Sequence, residues 1–322
     1  VKSQATGEVK KSLLIPGIVG PTAVGKTGVA LEIAQARGWE IVSADSRQIY
    51  KLLDIGTAKP TPHERSRVPH HLIDTVSPWE VYSCGRYRRE AVAVIENLLA
   101  AGKIPLVVGG SGLYLRALGK GLFQGPERDE ALREKLKGVA QREGRESLHG
   151  KLAEVDPASA ERIHPRDVER IVRAIEVFTI TGRPISELQK TSTESAPFEL
   201  FLVGLDRPRA SLYQMINHRF DKMMGAGFVD EVRELMERGF SEAWPSFRTV
   251  GYREIVKYLR GEVSLETARE KAKTQTRRFA KRQLTWFAGA AVKEWVNIPE
   301  GEATGRTAEK VSSSLGKAGL FL

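Results

Sequence analysis

A chain of 322 residues, 41% hydrophobic and 28% charged, can bury one large core or two smaller ones, and it is too apolar to be mainly disordered. Fifty Lys and Arg against 40 Asp and Glu leave a net charge of +10, which points to a polyanionic partner or phosphorylated substrates. A single cysteine, Cys84, excludes an intrachain disulfide framework and multi-Cys zinc sites, and no apolar run approaches the roughly 18 residues of a membrane span.

In chain order, Lys10 and Lys11 precede a short apolar run that leads straight into a glycine-rich loop. That run, Leu13–Val19, reads as the first strand of a cytoplasmic protein with no membrane contact, because it is too short for a leader's apolar segment. Glu40–Ser43, Ile104–Val108 and Leu200–Leu205 are similar Ile/Val/Leu-rich runs, and helical patterns at Gly28–Arg37 and Arg86–Ala101 separate them. Near-continuous apolar strands alternating with helices predict an α/β fold whose parallel sheet is covered by helices on both faces.

Residues 122–199 differ in character, with 13 basic against 15 acidic residues and almost no strand signal. Alternating charge with widely spaced Leu, Val and Ala predicts helices over Glu127–Gly144 and Glu146–Val155, with breaks at Asp156-Pro157 and His164-Pro165. The chain is therefore expected to form an α/β core from 1–121 and 200–322, with basic C-terminal helices, interrupted by an all-helical insertion at 122–199. Residues 208 onward read as mostly helical, and 296–322 as a weakly specified tail. No heptad or large exposed apolar stripe argues for a dimer, so a monomer is expected.

Gly20-Pro21-Thr22-Ala23-Val24-Gly25-Lys26-Thr27 fits G-x4-G-K-[ST] between a predicted strand and a predicted helix. Glycines there let backbone N–H groups face a diphosphate, and the helix N-terminus adds positive potential. Lys26 suits the outer phosphate oxygens, and the Thr27 hydroxyl suits a Mg²⁺ ligand. The loop specifies a diphosphate, of a nucleotide such as ATP or of another molecule, without specifying hydrolysis. The apolar strand that would usually end in a magnesium-holding Asp ends here in Gly109-Gly110.

Asp45 follows the second predicted strand and so belongs at the crevice beyond the strand ends. It fits equally a general base, an acceptor that orients a nucleophile, or the cap of the next helix. A helix is expected from Pro208 to Met224, with Leu212, Met215, Ile216, Phe220 and Met223 as its buried stripe. Arg219 falls within that stripe, where a guanidinium needs an anion or several acceptors. A diphosphate clamp, a buried salt bridge and a stem that reaches out to water all satisfy that requirement. Arg269, Lys271, Lys273, Arg277, Arg278, Lys281 and Arg282 share one predicted helix with Glu270 as the only acid, a one-sided charge that suits a nucleic-acid backbone. In the insertion, Arg166, Arg170 and Arg173 are placed on one helix face, although Asp167 and Glu169 beside them fit a plain surface helix as well.

GPTAVGKT, SADSRQIYKLLDIGTAKP, PHHLID, VVGGSGLYLRAL, RIHPRDVERIVRAIEV, RTVGYREI and RRFAKRQLTW occur in that order. Together they resemble the bacterial tRNA dimethylallyltransferases, or tRNA isopentenyltransferases, over about residues 13–290. DIGTAKP and PHHLID are the specific elements, since the phosphate loop alone is generic. The resemblance implies a P-loop NTPase-like fold. It also implies transfer of the dimethylallyl group of dimethylallyl diphosphate to N6 of adenosine 37, in tRNAs reading codons that begin with U.

By the same resemblance, Gly20 to Thr27 hold the diphosphate and Thr22 lies near the leaving oxygen. Asp45 is the general base and Arg219 the diphosphate-binding arginine. The tRNA-contacting residues implied are Asp45, Ser46, Arg47 and Gln48; Ser111, where many members have Thr; Glu169, Arg170, Ile171, Val172 and Arg173; Arg248, Thr249, Val250, Gly251, Tyr252 and Arg253; and Arg277, Arg278, Lys281, Arg282 and Gln283. Mg²⁺ is the implied cofactor and the tRNA anticodon stem-loop the implied partner. Eukaryotic relatives append a Cys/His zinc finger, which one cysteine cannot supply. His70 and His71 are expected to make structural hydrogen bonds, because adjacent side chains project differently. An adenylate isopentenyltransferase acting on free nucleotides and a small-molecule P-loop kinase are the alternatives. The basic helix and the insertion argue against the first.

Overall fold

The computed structural model describes residues 13–123, 125–191, 196–290 and 292–320, so the lysines ahead of the first strand lie outside the described residues. The chain divides into two compact units, one made of residues 1–119 and 197–322 and the other of residues 120–196.

In the first unit the elements run β1 (Leu13–Val19), α1 (Lys26–Arg37), β2 (Glu40–Ala44), α2 (Pro62–Arg67), β3 (His70–His71), α3 (Cys84–Ala100), β4 (Pro105–Gly109) and α4 (Gly112–Lys120). The second unit contributes α5 (Glu130–Arg142), α6 (Arg145–Val155), α7 (Pro157–Ala160), α8 (Val168–Thr181) and α9 (Ile185–Thr191). The first unit resumes with β5 (Phe198–Asp206), α10 (Arg209–Gly225), α11 (Phe228–Glu237), α12 (Tyr252–Leu259), α13 (Leu265–Ala288), β6 (Val292–Asn297) and α14 (Thr304–Lys317).

Among the described residues the strands form one six-stranded sheet in the order β3-β2-β4-β1-β5-β6, parallel throughout. β2 and β4 are buried at every residue, which requires cover on both faces; β4 is apolar throughout, whereas β2 buries Glu40 and Ser43 among its apolar residues. Val19 pairs with Gly109 and Gly204, and Ala44 also pairs with Gly109. The C-terminal ends of β1, β2, β4 and β5 therefore lie level, and the segments after them emerge along one rim.

The expected C-terminal tail is corrected: β6 completes the sheet edge beside β5, and α14 buries Ala308, Val311 and Leu315 against the core that contains Val29, Ile33 and Ala34 of α1. Three apolar residues among the five inward positions of an otherwise polar helix are a faint signal, yet each buried Val or Leu contributes about 1.5–3 kcal/mol. The PHHLID run holds the edge strand β3. His71 Nε2 lies 2.7 Å from a Glu40 carboxylate oxygen, and His70 Nδ1 lies 2.7 Å from the Val68 carbonyl, the structural role expected for the pair.

In the second unit Leu136, Val139, Leu148, Leu152, Ile171, Val172 and Ile175 make a separate core. The helix expected from Glu127 starts at Glu130, because Asp129 accepts from the Leu132 N–H and caps it. Asp156 caps α7 in the same way and also accepts from the Ser186 N–H, which joins α7 to α9. Glu176 is fully buried and takes three hydrogen bonds from Arg133 and Arg173. Burial pushes its carboxyl up, but these hydrogen bonds, with one from the Asp129 N–H, outweigh burial and hold it at about 2.

Two expectations fail in this unit. Arg166 precedes α8, which begins at Val168, and Arg173 is committed to Glu176, so the three arginines do not make one free cationic face. Ile171 and Val172 are fully buried core residues, so their side chains have no surface to offer RNA.

Candidate active site at the phosphate loop

Residues 20–27 wrap from the end of β1 into α1, with Gly20 at φ 148° and Gly25 at φ 111°. Ala23 also has a positive φ, 65°, which costs a residue with a Cβ about 1–2 kcal/mol and so must be held by its surroundings. Three side chains do the holding. Lys26 Nζ donates to the Gly20 and Pro21 carbonyls at 2.9 and 2.8 Å. Arg207, just past β5, donates from Nε to the Val24 carbonyl at 3.1 Å. Gln283 of α13 accepts from the Thr22 N–H at 2.8 Å.

The expected position of Arg219 is refined. On α10 Leu212, Ile216, Phe220 and Met223 are buried, but Met215 is 40% exposed and does not belong to the stripe. Arg219 sits at the margin of that stripe, and its Nη2 donates to Thr22 Oγ1 at 2.5 Å. Burial pushes its guanidinium down to about 10, against the opposing pull of Asp45. Burial likewise pushes Lys26 down to about 8, with Asp45 opposing and Arg219 reinforcing the shift. Thr22, Lys26, Arg219 and Asp45 therefore share one electrostatic site.

Asp45 caps a turn and also faces this site, so neither reading of it excludes the other. Its Oδ1 accepts from the Arg47 and Gln48 N–H groups at 2.8 and 3.4 Å. Ser111, just past β4, accepts from the Ser46 N–H at 2.9 Å and brings residues 45–48 and 111 together. Behind the carboxylate, Tyr87 and Tyr114 stack with ring centroids 4.0 Å apart. Both phenols are raised, chiefly by burial and in small part by Asp45, and so stay neutral.

The 248–253 segment divides by exposure. Arg248 and Arg253 point outward, whereas Thr249 is buried with its hydroxyl on the Ser246 carbonyl, and Tyr252 is fully buried. Tyr252 Oη donates to Glu231 at 2.6 Å, and the same carboxylate accepts from the Asp54, Ile55 and Gly56 N–H groups at 3.0, 2.7 and 3.2 Å. Lys59 is buried against Asp54, Asp74 and the Tyr50 carbonyl. The DIGTAKP segment is thus a pinned loop, and Gln48 is tied to it through the Thr57 and Ala58 carbonyls. Glu231 and Arg207 carry no motif of their own. Glu231 acts across some 175 residues, a separation at which sequence spacing gives no signal.

Helix α13 is less uniformly free than its charge suggests. Arg269 and Lys273 pair with Asp221 of α10, and Arg277 donates to Asn217 at 2.7 Å. Lys271, Arg278, Lys281 and Arg282 remain exposed. Gln283 is buried, and so is not on that exposed face.

Known proteins place these features. The model for the IPP transferase family matches residues 48–290, and one for isopentenyl transferases matches residues 14–81. This chain belongs to the IPP transferase family. It is 46% identical over 293 residues to the tRNA dimethylallyltransferase of Pelotomaculum thermopropionicum, covering 90% of this chain and 91% of that one. Against the tRNA dimethylallyltransferase of Acetivibrio thermocellus this family member is 45% identical, covering 95% and 98%.

Among solved structures, the full-length tRNA isopentenylpyrophosphate transferase of Bacillus halodurans superposes with a TM-score of 0.70 at 38% identity, covering 95% of this chain and 97% of that one. A eukaryotic dimethylallyltransferase, described as acting on tRNA, superposes at 0.79 with 26% identity, covering 96% and 80%. The α/β fold with helices on a parallel sheet is the family's, as expected. No helix among the described residues is long and apolar enough to cross a membrane.

Proposed function

We propose that this family member transfers a dimethylallyl group from dimethylallyl diphosphate to N6 of adenosine 37 in tRNA, releasing diphosphate. The observation that carries this reading is the contact of Arg219 with Thr22, which sets a second cation beside Lys26 at the phosphate loop and opposite Asp45. An allylic diphosphate ionises once its departing charge is stabilised, and preorganised cations in a water-poor site supply that stabilisation. The loop N–H groups, Lys26 and Arg219 bind the departing diphosphate, and the Thr22 hydroxyl lies at its bridging oxygen. Asp45 accepts the N6 proton as the C–N bond forms, which offsets the weak nucleophilicity of an adenine amine.

Mg²⁺ fits the donor set in one way. Among the described residues there is no cluster of three or more His, Cys, Asp or Glu that could hold a metal alone. Thr27, in the first turn of α1, would therefore hold it jointly with the diphosphate oxygens, a mode natural to a hard, partly hydrated cation. When bound, it supplies further neutralisation of the leaving charge.

The target base must leave its stack to reach Asp45, and the exposed cations of α13 with Arg248 and Arg253 grip the backbone around it. Location with the cytoplasmic tRNA pool follows from this substrate. The test is incubation with dimethylallyl diphosphate labelled in the prenyl group, an anticodon stem-loop, AMP and ATP. Label on adenosine 37 of the stem-loop is the expected outcome. Equal labelling of AMP would make the protein a nucleotide isopentenyltransferase, and phosphate transfer from ATP would make it a kinase.

A further inference from the structure

The amide of Gln283 bridges two backbone groups that lie far apart in sequence. Its Oε1 accepts from the Thr22 N–H and its Nε2 donates to the Gly110 carbonyl, each at 2.8 Å. The side chain is buried, so these bonds are not exchanged cheaply for water. Gly110 makes the bridge possible, because a Cβ there would lie 2.4 Å from Nε2. Gly112 serves the same approach one turn further along α13, where a Cβ would fall 2.2 Å from the Trp286 ring. The glycines that follow β4, Gly110 and Gly112, thus admit α13 to the rim of the sheet.

Thr22 is held at both ends by this arrangement, its N–H by Gln283 and its Oγ1 by Arg219. The same helix fixes α10 on either side of Arg219, through Arg277 to Asn217 and through Arg269 and Lys273 to Asp221. Both partners of the Thr22–Arg219 contact are therefore set by one helix, whose outer face carries Arg278, Lys281 and Arg282.

We propose that Gln283 is a positioning residue for Thr22 rather than a tRNA contact, and that it ties the phosphate loop to the helix that receives the nucleic acid. Docking of tRNA on the outer face of α13 and alignment of the leaving group at Thr22 then share one rigid element. This inference rests on the transfer reaction proposed above.

Two variants test it against wild type, with thermal unfolding as a check on the fold. Gln283→Met keeps the volume and loses both hydrogen bonds. Its kcat should fall at least tenfold, while affinity for the anticodon stem-loop and the salt dependence of that affinity stay within twofold. Gln283→Glu keeps the acceptor for Thr22 but sets a carboxylate against the Gly110 carbonyl. Protonation restores the donor, and burial raises the pH at which it happens. The activity of Gln283→Glu relative to wild type should therefore rise as pH falls.

Wild-type kcat in Gln283→Met overturns the inference. So does a loss confined to stem-loop affinity, and so does a Gln283→Glu ratio that is flat with pH. If Gln283→Met does not fold, the pH dependence of Gln283→Glu decides alone. A wild-type protein that prenylates no stem-loop would sink the functional reading itself, a different result from active wild type with indifferent variants.

Discussion

Arg219 and Thr22 lie 197 residues apart, and the arginine donates to the threonine hydroxyl at 2.5 Å. The contact completes the phosphate loop with a cation that the loop's own sequence lacks. Replacing Arg219 by Ala should lower the single-turnover rate by about 10²-fold or more, the usual scale for losing one preorganised donor to a developing anion. Stem-loop affinity should be unchanged. Lysine should not rescue the rate, because it lacks the planar fork and the reach of the guanidinium. Wild-type kinetics in the alanine variant would return Arg219 to a structural role.

Asp45 supports a turn as well as facing the site, so the informative substitution keeps the turn. Asn presents a carbonyl oxygen to the Arg47 and Gln48 N–H groups but cannot take a proton at neutral pH. Turnover of Asp45→Asn should fall about 10²- to 10⁴-fold at unchanged stem-loop affinity. If kcat is preserved, proton acceptance lies elsewhere.

Lys26 gives two pH effects of opposite sign. Burial holds its folded pKa near 8, below the ordinary 10.5. Diphosphate favours the charged form, so its affinity should weaken as pH rises through about 8, and binding above that pH should take up a proton. Folding behaves the other way. Between about 8 and 10.5 the unfolded chain holds more protons than the folded one, so the Lys26 contribution to stability improves as pH rises. Calorimetry in buffers of different ionisation enthalpy measures the uptake, and Lys26→Met should abolish it.

The cations of α13 separate into two groups with different readouts. Neutralising Arg278, Lys281 and Arg282 to Gln should weaken stem-loop binding and flatten its salt dependence by about 2–3 log units per log unit of salt, at roughly 0.7–0.9 for each phosphate left without its cation. Lys273→Gln should lower thermal stability, by breaking the pair with Asp221, and leave the salt slope intact. A slope that responds equally to both would mean that charge acts through the overall field.

Glu231 holds the loop at residues 54–56 through three N–H groups and also accepts from the Tyr252 hydroxyl of α12. Removing a shared acceptor of this kind leaves donors unpaired, and Glu231→Ala should cost about 1–3 kcal/mol in denaturant unfolding. Since Gln48 is tied to the same loop, KM for tRNA should rise more than kcat falls. An unaltered KM would show that the loop does not set residues 45–48.

The strands and the phosphate loop were legible in the sequence because their signals are local. β1 has the expected bounds, and β2, β4 and β5 lie within two residues of theirs. Arg219 was legible as a charge in an apolar stripe, but its partner was not, since only the fold brings Thr22 to it. Local patterns also misled. Met215 has helical spacing yet faces solvent, and Tyr252, Thr249, Ile171 and Val172 sit inside surface-sounding motifs while packing inward. β3, two residues long, and β6, with alternating exposed positions at the sheet edge, fall below what an apolar run can reveal.

The packing of α14 on α1 bears on how the molecule is made. The helix behind the phosphate loop is synthesised first, at residues 26–37, but its outer cover arrives only with residues 304–317. A growing chain must carry an uncovered apolar face through the synthesis of the whole second unit, whose separate core needs none of the residues still to come beyond 197. Ribosome-bound intermediates should therefore hold a finished helical module beside an unfinished catalytic one, and competence to grip a diphosphate should come late in translation.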